Sequence, residues 1–190
     1  LKVTYGRISR LGAIAYASSL DSVGPMAKSV EDLSYLLEVI AGLDDLDSTS
    51  SKIKVDKYSQ LLGAPIKGKI IGLPKEFFGK GFDPKVKKVI IDATKVFEKL
   101  GAKIIEVNLP HFIYGVSIYY LIALSETSSN LGRYDSFRFG GERELFSTET
   151  KKRILLGTYA LSAGYADKLY KKAQKLRTIL IEEYNQALKK

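Results

Sequence analysis

Cysteine and tryptophan are absent from the 190 residues, and histidine and methionine each occur once. The absence of cysteine excludes disulfide bonds and thiolate zinc sites, and it fits a reducing compartment. The single histidine, His111, follows Pro110 at a predicted strand end, and we interpret it as structural rather than as a metal ligand or triad member. No apolar run approaches the roughly 20 residues that a membrane-spanning helix needs. These absences predict a chain with no metal site and no membrane contact.

Phosphate-binding loops are also absent, since neither GxxxxGK followed by Ser or Thr nor a helix-opening GxGxxG occurs. Serine and lysine are plentiful, so composition leaves a Ser–Lys nucleophilic arrangement open. Such a nucleophile needs a glycine-rich turn that presents backbone amides to an oxyanion, and neither Ser18-Ser19 nor Ser128-Ser129 has flanking glycines. The residues by themselves therefore indicate an α/β domain without an identifiable active site.

Positive charge is concentrated near the end of the sequence. The formal net charge is +9, and residues 151–190 hold ten Lys or Arg against three Asp or Glu. A helix places Lys168, Lys171, Lys172 and Lys175 on one face, because they are spaced by three and four residues. A solvated helix face is the simpler interpretation. The alternative is a non-catalytic basic binding domain whose surface attracts nucleic acid or an acidic partner.

Residues 68–109 carry the pattern of a βαβ unit. Residues 68–73 predict a strand closed by Pro74, and residues 103–109 predict a second strand. Between them, Asp83-Pro84 starts a helix in the preferred way, and Gly101 ends it. The two strands are expected to be parallel neighbours in a sheet covered on both faces. The helix should bury its apolar stripe, which consists of Val86, Val89, Ile90, Ala93, Val96, Phe97 and Leu100.

Further helices are predicted on both sides of this unit. Residues 29–43 should form a helix with Ser29 as N-cap and Leu33, Leu36, Leu37 and Ile40 buried. Residues 114–131 should form another, with Tyr119, Tyr120, Ile122 and Ala123 inside. In that helix, we expect neighbouring hydroxyls or amides to satisfy Glu126.

Two more helices are predicted after residue 150, with a joint at residues 162–164, where Gly164 tolerates the backbone angles of a helix end. The second of these begins at Tyr165. Its buried stripe should comprise Tyr165, Leu169, Ala173, Leu176 and Leu180.

Several segments, in one consistent order, resemble the amidase signature family, and within it the A subunits of tRNA-dependent amidotransferases. The segment LLGTYALSAGYADKLYKKAQKLR of residues 155–177 is the most similar. Residues 4–42 resemble the family stretch that follows its catalytic region. Asp47 to Ser50 match the family's DSTS, Leu73 to Glu76 match its LPKE, and residues 119–140 resemble YYxIAxxEASSNLxRxDGxRYG.

The resemblance implies that residues 1–190 form a single domain, the central-to-C-terminal portion of an amidase signature domain. The implied fold is α/β, with a mixed sheet covered by helices. Family members use a Ser–cis-Ser–Lys triad whose motifs lie upstream of TYGR, so the catalytic residues are expected before residue 1. The fragment alone is therefore expected to be inactive.

The resemblance also implies two substrate-binding residues. Tyr119 matches the first tyrosine of the family's YY pair at the glutamine site, and the alternative is a core tyrosine. Arg153 matches the last arginine of VKRR, which receives the glutamine carboxylate, and the alternative is a surface cation. A guanidinium fork suits that role because it can pair a carboxylate through two hydrogen bonds.

The implied function is glutamine hydrolysis that supplies ammonia to a B subunit, which converts Glu-tRNA(Gln) or Asp-tRNA(Asn) to the amidated form. ATP and Mg are used by the B subunit, no cofactor is expected in this chain, and a small C subunit bridges the two larger ones. Contact with tRNA is indirect, and the location is the cytoplasm or an organelle matrix. The alternative within the family is an amidase that acts alone on small amides.

Three departures from the family pattern are visible. The segment between RYG and VKRR is shorter here, after Gly140, and this affects the Arg153 assignment most. The usual GYYD is Gly164-Tyr165-Ala166-Asp167, and the usual KPTYGR begins Lys2-Val3-Thr4.

Overall fold

The computed structural model describes residues 1–79 and 81–190, which are mostly helical and include one short parallel sheet. The strands are β1 Ile70–Pro74 and β2 Lys103–Val107. The α-helices are α1 Val30–Ile40, α2 Pro84–Lys99, α3 Gly115–Leu131, α4 Thr148–Leu161 and α5 Lys172–Ala187. Short 3-10 turns occupy Tyr58–Leu61, Lys75–Phe78, Phe112–Tyr114 and Arg143–Leu145, and a π-helical turn, Asp167–Lys171, precedes α5. Within the described residues, no helix combines the length and apolar content that crossing a bilayer requires.

Helices α1 and α2 each begin directly after the predicted N-cap residue. The side chain of Ser29 accepts a hydrogen bond from the amide of Asp32, which begins α1, as predicted. The Asp83 carboxylate accepts from the amide of Lys85, and Pro84 occupies the first turn of α2. The predicted helix over 29–43 is shorter in the structure. It ends at Ile40, and Gly42 follows with φ 141°.

Strands β1 and β2 pair in parallel, with Ile70 opposite Lys103 and Pro74 opposite Val107, which confirms the predicted βαβ unit. The expected mixed sheet is not found among residues 1–79 and 81–190, where this two-stranded sheet is purely parallel. The prediction that both faces of the sheet are covered is also wrong. Most strand residues are exposed or half-buried, and only Pro74 and Val107 are buried. Only two strands pair here, and a sheet normally needs three or more strands, or a helix packed on it, to bury its faces.

Two predicted apolar stripes remain largely at the surface. Most large apolar residues of α2, including Val89, Val96 and Phe97, are exposed, and Ile90 is half-buried. In α1, Leu37 is buried, whereas Leu36 and Ile40 are exposed. Helical periodicity identified the apolar face of each helix, but it does not show whether another element packs against that face.

The chain divides into two compact units. The first consists of residues 1–64 and 123–162, and it has a small core in which Val3, Ile8 and Leu37 pack together. The second consists of residues 65–122 and 163–190, and its buried residues include Leu109 and Ile118. Helix α3 contributes its first half to the second unit and its second half to the first. The single-domain assignment of 1–190 stays a prediction.

The joint predicted near residue 162 is present. Helix α4 ends at Leu161, and Gly164 follows with φ 82°. In α5, Ala173 is fully buried and Leu176 is half-buried, as expected for the stripe. Tyr165 is exposed instead, because α5 proper begins only after the π-helical turn, which shifts the helical phase. The four lysines of the basic face are all exposed, and Lys171 is paired to Asp167.

Candidate functional site

Arg153 of α4 is held by two partners that come from different parts of the first unit. Its Nε donates to Oε1 of Glu149, one turn earlier, at 2.8 Å. Its Nη1 donates to the hydroxyl of Tyr16 at 2.7 Å, and its Cζ lies 5.9 Å from the centre of that ring. The guanidinium is thus fixed on two sides. Its role in substrate binding, rather than as a surface cation, stays a prediction.

These contacts explain the charge state of the pair. The hydrogen bond to Glu149, followed by the one to Tyr16, raises the pKa of Arg153 above its usual value. The same hydrogen bond from Arg153 lowers the pKa of the Glu149 carboxyl. Glu149 also lies in the first turn of α4, where a negative charge suits the helix dipole.

The Arg153 side chain remains 35% exposed, so a ligand can reach it. Within residues 1–79 and 81–190, no acceptor is found for its Nη2. The Nη2 proton on the outer edge of the guanidinium, away from Glu149, is therefore available to a ligand. A carboxylate is the natural candidate, since a guanidinium and a carboxylate match in charge and in planar geometry.

The loop that carries Tyr16 is fixed by polar side chains of α3. The side-chain amide of Asn130, which is 5% exposed, donates to the Tyr16 carbonyl at 3.0 Å and to the Ser18 hydroxyl at 2.9 Å. Oε2 of Glu126 accepts from the backbone amide of Ser19 at 2.8 Å. This contact matches the expectation that a neighbouring amide satisfies Glu126. No sequence motif marked Tyr16, and the only local signal is an aromatic residue within the small-residue segment AIAYASS of residues 13–19.

A second arginine lies near the same loop. Arg10 donates through Nη2 to the Thr49 hydroxyl at 2.9 Å and through Nη1 to the Ser18 carbonyl. A cavity of about 370 Å³ lies beside it, between residues 10–23 and 46–48. The backbone amide of Arg10 donates to Asp47 at 2.8 Å. The Thr49 hydroxyl and the amides of Arg10 and Thr49 lower the pKa of Asp47 to about 2.

Tyr119 lies on α3 in the second unit, and the prediction that it is buried is wrong. Its side chain is 45% exposed and that of Tyr120 is 52% exposed, whereas Ile122 and Ala123 of the same helix are fully buried. The two tyrosine rings meet edge to face with centroids 5.4 Å apart. The helix buries the side that carries Ile118 and Ile122, and the tyrosines lie elsewhere on its circumference.

Tyr119 contributes to a cavity of about 750 Å³ that is rich in aromatic side chains, among them Phe77, Phe82 and Phe112. This cavity belongs to the second unit, and Arg153 belongs to the first. Each residue is therefore placed within its own unit. Their convergence on one glutamine pocket stays a prediction.

His111 makes structural contacts in the second unit. Its Nδ1 lies 2.5 Å from Oε1 of Glu183, and its backbone amide donates to Oε2 of the same residue at 3.3 Å. The pair joins the segment after β2 to α5. In the part of the chain that the structure describes, no group of three potential metal-ligating side chains occurs.

The model of the family described as Amidase matches residues 1–190. The chain belongs to the amidase family. Among curated relatives, the glutamyl-tRNA(Gln) amidotransferase A subunit of Listeria monocytogenes serotype 4a (strain HCC23) is 51% identical over 199 aligned positions, which cover 97% of this chain and 41% of that protein. The corresponding A subunit from Koribacter versatilis (strain Ellin345) is 48% identical over 205 positions, which cover all of this chain and 43% of that protein.

Solved structures of amidase-family proteins agree with this assignment. The crystal structure of a glutamyl-tRNA(Gln) amidotransferase A subunit from Thermotoga maritima has a TM-score of 0.79 and 37% identity, and the match covers 99% of this chain and 39% of that one. The native peptide amidase of Stenotrophomonas maltophilia has a TM-score of 0.64 and 27% identity over 90% of this chain and 38% of that one. The resemblance inferred from the sequence motifs is confirmed.

This amidase-family chain spans about two fifths of the length of the curated relatives it matches. The alignment with the Koribacter protein has 15 more positions than this chain has residues, so the relative carries extra residues inside the matched region. That excess agrees with the shorter segment noted after Gly140.

Proposed function

We propose that the protein containing this chain is the glutaminase component of a tRNA-dependent amidotransferase. One observation carries the proposal: the chain is about half identical, along its whole length, to relatives named as A subunits of glutamyl-tRNA(Gln) amidotransferase. Identity to the solved peptide amidase is only 27%. The difference favours the amidotransferase over the alternative of an amidase that acts alone on small amides.

In this proposal, Arg153 receives the α-carboxylate of glutamine, and Tyr119 contributes to the glutamine site. The support for Arg153 is its fixed guanidinium with Nη2 available. The support for Tyr119 is its half-exposed ring at the border of an aromatic cavity. We assign no catalytic residue within residues 1–190, and we propose that a Ser–cis-Ser–Lys triad elsewhere in the protein attacks the glutamine amide and releases ammonia.

The proposed partners are a B subunit, which uses ATP and Mg to amidate Glu-tRNA(Gln) or Asp-tRNA(Asn), and a C subunit that bridges the other two. Contact of this chain with tRNA is indirect, and the chain itself holds no cofactor. The complex would work in the cytoplasm or in an organelle matrix. We also propose that β1 and β2 belong to a larger mixed sheet in the whole protein, because Ile70 of β1 is exposed and Ile104 and Ile105 of β2 are only half-buried.

The test is ammonia release from glutamine by the full-length protein, alone and together with its B and C subunits. We expect release in the three-subunit complex and transfer to mischarged tRNA when ATP is present. No ammonia from the complete complex would contradict the proposal. A protein that purifies without partners and hydrolyses small amides alone would support the amidase alternative.

A further inference from the structure

The Tyr16 hydroxyl has an unused proton. A phenol has one proton to donate and lone pairs to accept with, and Tyr16 accepts from Nη1 of Arg153 at 2.7 Å. Its own proton is therefore available, and within residues 1–79 and 81–190 no acceptor for it is found. Nη2 of Arg153 is in the same condition. Tyr16 and Arg153, which are hydrogen-bonded to each other, therefore each have a donor group without an acceptor in these residues.

The backbone of Tyr16 is fixed from both directions. Its amide donates to Oδ2 of Asp21 at 2.8 Å, and its carbonyl accepts from Asn130 at 3.0 Å. Asn130 is buried in α3, so it ties the loop to a helix. A donor held in this way loses little further freedom when a ligand binds, and such preorganisation favours affinity.

Glu149 restricts where an anion can bind. Its carboxylate already accepts from Nε of Arg153, so that edge of the guanidinium is occupied by a negative charge. An incoming carboxylate is repelled there and is directed towards the outer edge, where Nη1 meets Tyr16. The arrangement therefore favours a ligand anion next to the Tyr16 hydroxyl.

We propose that Tyr16 and Arg153 form a two-donor carboxylate site, in which Tyr16 positions the guanidinium and its phenol donates a hydrogen bond to the substrate's α-carboxylate. This inference rests on the proposed function, and it assigns part of the substrate recognition to a residue of the N-terminal loop. Binding requires no covalent step, and both groups keep their protons throughout. Tyr16 is a binding and positioning residue, whereas bond cleavage belongs to other residues.

The experiment compares Tyr16→Phe with the wild type in the complex of the full-length protein with its partner subunits. Two substrates are used: glutamine, and 4-aminobutanamide, which is glutamine without its α-carboxylate. We expect the KM for glutamine to rise about tenfold, because a hydrogen bond to a charged group is lost, while kcat changes by less than about twofold. The KM for 4-aminobutanamide should stay within about twofold of the wild-type value.

Tyr5→Phe is the matched control. The Tyr5 hydroxyl donates to the carbonyl of Ser18 at 2.8 Å, so its loss disturbs the same loop without touching Arg153. We expect no change in the ratio of the two KM values. A Tyr16→Phe variant whose KM for glutamine is unchanged, or whose two KM values rise equally, would overturn the inference.

Calorimetric titration with glutamine keeps this inference separate from the proposed function. A wild type that binds glutamine with an affinity dependent on Tyr16 but releases no ammonia would support the carboxylate site and contradict the glutaminase activity. If the wild type releases ammonia but Tyr16→Phe binds glutamine equally well, the result would support the glutaminase activity and contradict the carboxylate site. Absence of both binding and hydrolysis would overturn both.

Discussion

Gly157 of α4 packs directly against the backbone carbonyl of Leu124 in α3. A Cβ atom placed on Gly157 would lie 1.9 Å from that oxygen and 2.7 Å from Cβ of Ser128. On the next residue, the Thr158 hydroxyl lies 2.7 Å from the Ser128 hydroxyl, which confirms how closely the helices cross. Only glycine permits this approach.

We therefore expect Gly157→Ala to destabilise the full-length protein by about 3 kcal/mol, because the gain in helix propensity is smaller than the cost of overpacking. Urea unfolding measures the difference. The control is Gly115→Ala at the start of α3, where an added Cβ meets nothing within 4 Å. Equal stability of the two variants would show that the close crossing is absent.

Ser136 has φ 63°, the left-handed region, and it is the one such residue other than glycine among residues 1–79 and 81–190. The family pattern YYxIAxxEASSNLxRxDGxRYG has glycine at this position. We expect Ser136→Gly to stabilise the protein by up to about 1 kcal/mol, because the Cβ strain outweighs the extra freedom of the unfolded chain. Ser136→Ala retains the Cβ and should give no gain. Thermal unfolding of both variants provides the measurement, and a gain with alanine would refute the strain argument.

Asp47 contributes a pH-dependent part of the stability. Hydrogen bonds from Thr49 and Arg10 lower its pKa to about 2 in the folded protein, below the unfolded value of about 3.9. Its contribution is therefore complete above about pH 4 and is lost as the pH falls towards about 2. We expect Asp47→Asn to be less stable than the wild type at neutral pH, with a difference that shrinks across that acidic range. Asp45→Asn, at an exposed neighbour, should show no such convergence in denaturant titrations.

Asn130→Ala should loosen the loop that carries Tyr16. The substitution leaves the Tyr16 carbonyl without its donor in a largely buried setting, which costs about 2 kcal/mol of stability. The KM for glutamine should rise together with this loss, because the Tyr16 hydroxyl is no longer held in place. Asn185→Ala, at an exposed position of α5, is the control. Unchanged stability and KM in Asn130→Ala would contradict the role of Asn130 in holding the Tyr16 loop.

Charge reversal on the basic face of residues 168–175 distinguishes indirect from direct contact with tRNA. Lys171 already pairs with Asp167 at 2.6 Å, which leaves Lys168, Lys172 and Lys175 as the residues to reverse. If contact is indirect, changing these three to glutamate should leave the tRNA affinity of the complex within about threefold. A direct contact would weaken binding and flatten its salt dependence by about one unit of slope per lysine. Reversal of the three exposed lysines Lys85, Lys88 and Lys99 on α2 is the control for net charge.

Local signals in the sequence were sufficient for the elements and for the family. Ser29 and Asp83-Pro84 mark helix starts because capping depends on residues within one turn, and the structure has both caps. The parallel pairing of β1 with β2 followed from strand, helix and strand in succession. The ordered motifs led to the amidase family, which the match over residues 1–190 confirms.

Only the tertiary structure decided which faces are buried and which distant residues meet. Periodicity marked the apolar stripe of α2 and placed Tyr119 on the buried side of α3. Most of that stripe and Tyr119 are nevertheless exposed, because burial depends on what packs against a helix. Tyr16 and Arg153 are separated by 137 positions, and no spacing rule joins them. Their contact arises because α3 fixes the Tyr16 loop within reach of α4. The sequence thus determined the local hydrogen bonds of each element, whereas the candidate carboxylate site depends on packing between elements.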